Sequence, residues 1–143
     1  MKGVIQSFDV SYFLHATEDG VKVGSAVSKL TGSEEPLEEE AMVGHFGNPI
    51  TRVDLHLHGE EAAASLERLV TSLPAPLRAS LAKEIDKHVD EHSSLFLRLD
   101  KQKLVQGQLA MGTGDVVRLK VKPRSFVMKG RAKDFFLGLL TPK

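Results

Sequence analysis

Four segments of the chain alternate between apolar and polar side chains: residues 7–15, 52–58, 95–100 and 116–122. Successive side chains of a β-strand point to opposite faces, so this pattern predicts strands with one buried and one solvated face. The strands of a doubly wound parallel sheet are apolar on both faces and do not alternate in this way. The four segments therefore predict a largely antiparallel sheet with one open face.

Three stretches between these strands have apolar residues at helical spacing. The apolar positions are Val23, Val27 and Leu30; then Leu66, Leu69, Val70 and Leu73; then Leu77, Leu81, Ile85 and Val89. Gly32 ends the first helix, and Pro74 separates the second helix from the third. With a further strand at 38–45 the order is β-α-β-β-α-α-β-(turn)-β. We predict a two-layer α+β domain with its helices on the apolar face of the sheet.

The 143 residues suffice for one domain with a core of its own. The chain has no cysteine, which excludes disulfides and thiolate zinc sites. Its first residues do not resemble a signal peptide, and no apolar run approaches the roughly 20 residues that a membrane span needs. We expect a cytoplasmic protein without a membrane partner.

The net charge of zero hides an uneven distribution. Residues 1–97 contain 8 lysines and arginines against 16 acidic residues, whereas residues 98–143 contain 11 against 3. A basic surface of this kind usually faces phosphate or an anionic membrane. The other interpretation is that the two halves pair with each other in the fold.

The stretch HVDEH at 88–92 fits H-x-x-E-H, in which two helical histidines bind zinc and the glutamate acts as a base. Such a site needs a third protein ligand, and no glutamate follows Glu91. We interpret His88 and His92 as residues at a helix C-terminus, where the helix dipole favours them. His56 and His58 could chelate a metal from one strand face, but polar residues on a solvated face explain them better. The sequence predicts no metal, no cofactor and no enzymatic activity.

Basic and aromatic residues on the open face suit RNA, because exposed rings stack on bases while cations meet phosphates. Phe96 is the candidate for stacking, although burial under a loop or a partner would explain it equally well. The predicted RNA-binding residues are Arg52, Phe96, Arg98, Lys101, Lys103, Arg118, Lys120, Lys122, Arg124, Lys129 and Arg131.

Four motifs resemble one known family: FLHATEDGVKV (13–23), GHFGNPI (44–50), VDEHSSLFLRLDKQ (89–102) and GDVVRLKVK (114–122). The family is archaeal and is described as RNA-binding or exosome-subunit-like, with a fold similar to the ribosomal protein that binds 5S RNA. The resemblance implies a non-catalytic role in RNA processing or ribosome-related work, with exosome or ribosomal proteins as partners. The alternative is a protein–protein adaptor that docks a larger complex through its acidic half and basic tail. The oligomeric state stays open.

The resemblance ends near residue 122, and we divide the chain into a domain at 1–123 and a tail at 124–143. The tail is basic and also rich in phenylalanine and leucine. Gly130 and Gly138 each weaken a free helix by about 1 kcal/mol. We predict a binding element that is poorly structured alone and becomes ordered on a partner or against the sheet edge.

Overall fold

The computed structural model describes residues 3–44, 46–124 and 130–141. The strands are β1 (Ile5–His15), β2 (Glu38–Val43), β3 (Pro49–His58), β4 (Leu95–Asp100) and β5 (Val116–Pro123). The helices are α1 (Gly20–Thr31), α2 (Gly59–Ser72), α3 (Ala75–Lys83), α4 (Ile85–His88), α5 (Lys101–Val105) and α6 (Ala132–Leu140). No helix within these ranges is long and apolar enough to cross a membrane.

The strands form one sheet in the order β2-β3-β1-β5-β4, and each neighbouring pair is antiparallel. The apolar residue of each alternation faces the helices. Phe8, Leu57 and Leu99 are fully buried there beside Val27 of α1 and Leu66 of α2. Burying one side chain of this size contributes about 1.5–3 kcal/mol, so the alternation fixes which face is covered. The predicted α+β class is confirmed.

Local contacts set both ends of α1. The Asp19 carboxylate accepts hydrogen bonds from the backbone N–H groups of Val21 and Lys22, which satisfies free donors of the first turn. At the other end Gly32 has φ 69°, and its N–H donates to the Ser28 carbonyl. Glycine adopts this left-handed conformation without steric cost, which confirms the helix end predicted before Gly32.

The third predicted helix is broken in two. Glu84 lies between α3 and α4 with φ −109° and ψ 27°, and Val89 is extended and pairs with Leu95 in an isolated bridge. His92 then lies in a turn, where its N–H donates to the Asp90 carboxylate. His88 does end a helix as predicted, but the helical placement of His92 was wrong. The two histidines of HVDEH therefore do not share a helix face.

Part of the predicted tail belongs to the core. Ala132, Phe136 and Leu140 of α6 are buried, and the helix packs against α3 and α4. An ion pair of 2.7 Å joins Lys133 Nζ to the Asp86 carboxylate of α4. The division at residue 123 consequently does not separate α6 from the domain.

Candidate nucleic-acid interface

The face of the sheet that lies away from the helices carries the polar residue of each alternation. Strand register aligns these residues in rows across the sheet. One row runs through Asp54, Ser11, Arg118 and Arg98, and the next runs through His56, Asp9, Lys120 and Phe96. The acidic strand β2 borders one side of this open face, and the basic strands β5 and β4 border the other.

Four cations occupy the basic side of the open face: Arg98, Arg118, Lys120 and Lys122. Lys122 is half-buried and the other three are exposed. None of the four forms a salt bridge with a carboxylate of the described residues. The uneven charge of the sequence thus becomes a basic region whose cations are not neutralised by the acidic half.

Two phenylalanines lie among these cations. Phe96 is 37% exposed, and Lys120 Nζ lies 5.5 Å from its ring centroid. Phe13 is half-buried, and Arg118 Cζ lies 6.0 Å from its ring centroid. Cations attract the faces of aromatic rings at these distances. Just over a third of the Phe96 surface is therefore open to solvent.

The other predicted RNA-binding residues do not join this region. Arg52 lies on the open face at β3, but its Nε is 3.1 Å from the Asp54 carboxylate. Lys103 lines a groove between α1 and α5, on the helical side. Arg124 and Arg131 are exposed, after β5 and before α6 respectively. Lys129 lies outside the described residues.

The prediction for Lys101 was wrong. Its side chain is fully buried, and Nζ donates to the Phe13 carbonyl (2.6 Å) and forms ion pairs with Glu18 Oε1 (2.7 Å) and Asp115 Oδ1 (2.9 Å). Lysine is rarely buried unless it is paired, and here it has three partners. A residue with this environment cannot meet RNA phosphates. Its local sequence carries no sign of burial, because the partners come from other parts of the chain.

The same carboxylates form the one cluster of possible metal ligands within the described ranges. Ligand atoms of His15, Glu18 and Asp115 lie within 4.8 Å of one another. The ammonium of Lys101 already contacts both carboxylates. Lys101 therefore already neutralises the carboxylates of Glu18 and Asp115.

Glu18 is held in its charged form. Burial alone would raise its pKa, but hydrogen bonds from the His15 backbone N–H and from Lys101, together with the charge of Lys101 and a hydrogen bond from Gln102, lower the pKa overall. Hydrogen bonds to a carboxylate favour the ionised state in this way. Glu18 therefore stays ionised at neutral pH.

His56 has a partner on the neighbouring strand. Its Nδ1 lies 2.8 Å from the Asp9 carboxylate, and Glu38 lies 4.0 Å from its Nε2. The hydrogen bond to Asp9 stabilises the protonated ring and raises the pKa of His56. Partial burial of the ring acts in the opposite direction but has the smaller effect. His56 thus lies between two carboxylates of neighbouring strands, Asp9 of β1 and Glu38 of β2.

Comparisons with known proteins identify the family of this chain. A family model described as "RNA binding" matches residues 7–123. The RNA-binding protein PAB1135 of Pyrococcus abyssi is 35% identical over 141 residues, with 92% of each chain covered. A DUF54 structure from Archaeoglobus fulgidus is 26% identical with a TM-score of 0.79, covering 94% of this chain and 99% of its own. Another, Mth689 of Methanothermobacter thermautotrophicus, is 26% identical with a TM-score of 0.75, covering 96% and 99%. The chain belongs to this archaeal family of RNA-binding proteins.

Proposed function

We propose that the protein is a non-catalytic RNA-binding protein that holds a single strand on the open face formed by β1, β5 and β4. The observation that carries this proposal is the placement of two phenylalanine rings among four cations that have no salt-bridge partner among the described residues. Bases stack on Phe96 and Phe13, while phosphates meet Arg98, Arg118 and Lys120. A single strand fits because its bases are free to stack on aromatic side chains, whereas a duplex hides them.

The cellular role in this proposal is RNA processing or ribosome-related work in archaea, with exosome or ribosomal proteins as partners. Family membership and the resemblance of the four sequence motifs support this role. A non-catalytic role is supported by the HVDEH stretch, whose histidines do not share a helix, and by Lys101, which already pairs with Glu18 and Asp115.

Charge removal on the basic side tests this proposal. We expect Arg118→Ala and Lys120→Ala each to weaken binding of single-stranded RNA about equally for all sequences. Each should reduce the slope of log K against log salt by about 0.7, because one phosphate contact is lost. Fluorescence anisotropy with a labelled oligonucleotide at several salt concentrations measures both quantities.

Two controls make this experiment specific. Lys83→Ala removes an exposed charge from α3 on the helical side, and Arg52→Ala removes a charge already neutralised by Asp54. Both should leave the slope within error of the unaltered protein. Equal effects from all four variants would show that net charge, and not the open face, controls affinity. A protein that binds no RNA, yet keeps a protein partner after nuclease treatment, would favour an adaptor instead.

Stacking on Phe96 is tested separately. Phe96→Leu keeps an apolar side chain over the sheet but removes the aromatic face, and we expect affinity to fall about tenfold. This is consistent with about 1–3 kcal/mol for one stacked base. The salt slope should stay unchanged, since no phosphate contact is lost. An unchanged affinity would mean that Phe96 serves only to cover β4.

A further inference from the structure

A cavity of about 430 Å³ opens on the sheet face beside Phe13. Strand register brings Met42, Ile50 and His15 into one row across β2, β3 and β1. The ring of Phe13, two positions along β1 from His15, forms another wall. Three of these four side chains are apolar, so most of the cavity wall is apolar.

The remaining wall is polar and comes from the loop before β5. Asp115 lines the cavity together with Gly114. Its Oδ1 is bound to Lys101, but the only contact found for Oδ2 within the described chain is a long one of 3.4 Å from Gln102 Nε2. Oδ2 is therefore able to accept a hydrogen bond from a ligand, since a carboxylate oxygen has two lone pairs. The bond from Lys101 holds the carboxylate in place.

We propose that this cavity receives one unstacked nucleobase of the bound RNA, with the flat ring against Phe13 and an exocyclic amino group donating to Asp115. The inference rests on the proposed RNA-binding face and adds a base preference to it. Cavities of this size hold a base with its sugar. Phe13 also contacts Arg118 of the basic side, so a strand on that side leads into the cavity. Adenine, cytosine and guanine carry the amino group, whereas uracil lacks it.

Gly114 offers a way to close the cavity without disturbing the fold. A Cβ built at this position meets no atom within 4 Å, and the backbone is not in the left-handed region. Because Gly114 lines the cavity, Gly114→Leu adds a bulky apolar side chain at the cavity wall while all charges stay in place. Thr113→Leu is the matched control, because Thr113 is exposed and does not line the cavity.

Methyl NMR reads out occupancy directly. Ile50 lines the cavity and its δ1 methyl lies against Gly44 of the same wall, while Ile5 and Ile85 are buried in the core and serve as internal references. We expect single-stranded octamers of adenylate or cytidylate to shift the Ile50 signal by ring currents, and an octamer of uridylate to shift it little. Adenosine monophosphate at the same concentration should shift it less than the adenylate octamer; an equal shift would assign the cavity to free nucleotides and overturn the proposal.

Gly114→Leu should abolish the Ile50 shift and lower affinity for the adenylate octamer to that for uridylate, with Thr113→Leu unchanged. Equal affinities of the unaltered protein for the three octamers, or an Ile50 signal that is unmoved at saturation, would overturn the base cavity and leave the basic face standing. Absence of any salt-dependent RNA binding would instead remove the proposed function itself.

Discussion

Replacing Lys101 with methionine should lower the free energy of unfolding by about 3 kcal/mol. Methionine has a similar length and fits an apolar site, but it leaves the Glu18 and Asp115 carboxylates and the Phe13 carbonyl without the ammonium that now binds them. Removing one member of a buried ion pair is costly because the other charge stays desolvated. Asp115 is 40% exposed, which limits its share of the loss. Urea denaturation at neutral pH measures the change.

Lys103→Met is the matched control for this experiment. Lys103 lies two residues further along α5 with an exposed side chain, so its replacement should change stability by less than about 0.5 kcal/mol. A Lys101→Met variant as stable as the control would show that the network contributes specificity alone. Its RNA affinity should also fall, because Lys101 holds Phe13 and Asp115 beside the open face.

The same network predicts how stability depends on pH. The folded-state pKa of Glu18 is lowered, so its contribution is present above the ordinary glutamate pKa and is lost as pH falls through the folded value. In Lys101→Met a main cause of the lowering is gone. The variant should therefore lose less stability than the unaltered protein between pH 5 and pH 2, a comparison that two urea curves provide. If both proteins lost the same stability on acidification, carboxylates outside this network would be responsible for the loss.

Replacing Phe136 with alanine should cost about 3 kcal/mol of folding free energy. Phe136 is 1% exposed and anchors α6 in the core formed with α3 and α4. Its neighbour Phe135 is only partly buried and contacts it edge-on, with ring centroids 5.3 Å apart. Phe135→Ala is therefore the control and should cost clearly less. Thermal denaturation followed by circular dichroism ranks the two.

RNA affinity of Phe136→Ala, measured well below its melting temperature, should match that of the unaltered protein. This outcome distinguishes a helix of the core from the binding element that the composition of the tail suggests. If the RNA affinity fell while the melting temperature stayed unchanged, residues 132–140 would be a binding element and not part of the core.

The strands could be predicted because side chains of a strand alternate between the two faces every second residue. A shift of the assignment by one residue would expose every apolar side chain to solvent, so the pattern allows only one choice of buried face. The positions of Leu97, Leu119 and Val121 on the buried face follow from this alone. The break at Glu84 could not be predicted, since Leu81 and Ile85 keep helical spacing across it. The spacing of apolar residues indicates which side chains are buried. It does not change when the backbone of a single residue leaves the helical conformation.

The candidate site was predicted only in part for a related reason. Arg98, Arg118 and Lys120 follow from strand phase, which is local. The burial of Lys101 depends on Phe13 and Glu18, which lie 88 and 83 positions earlier in the chain. Nothing near Lys101 in the sequence announces these partners. The cavity beside Phe13 likewise exists only after four separate segments meet.

The outer strand β2 has a consequence for how copies of the protein meet in solution. All six of its residues are exposed, and Glu38, Glu39 and Glu40 follow one another along it. An unpaired edge strand offers its backbone to a second copy, and charges on the edge are one means of preventing this. Two such edges brought together would gather six glutamates along one short strand pair. The protein should therefore resist edge-to-edge aggregation at low ionic strength, and concentrated salt should weaken that protection by screening the repulsion.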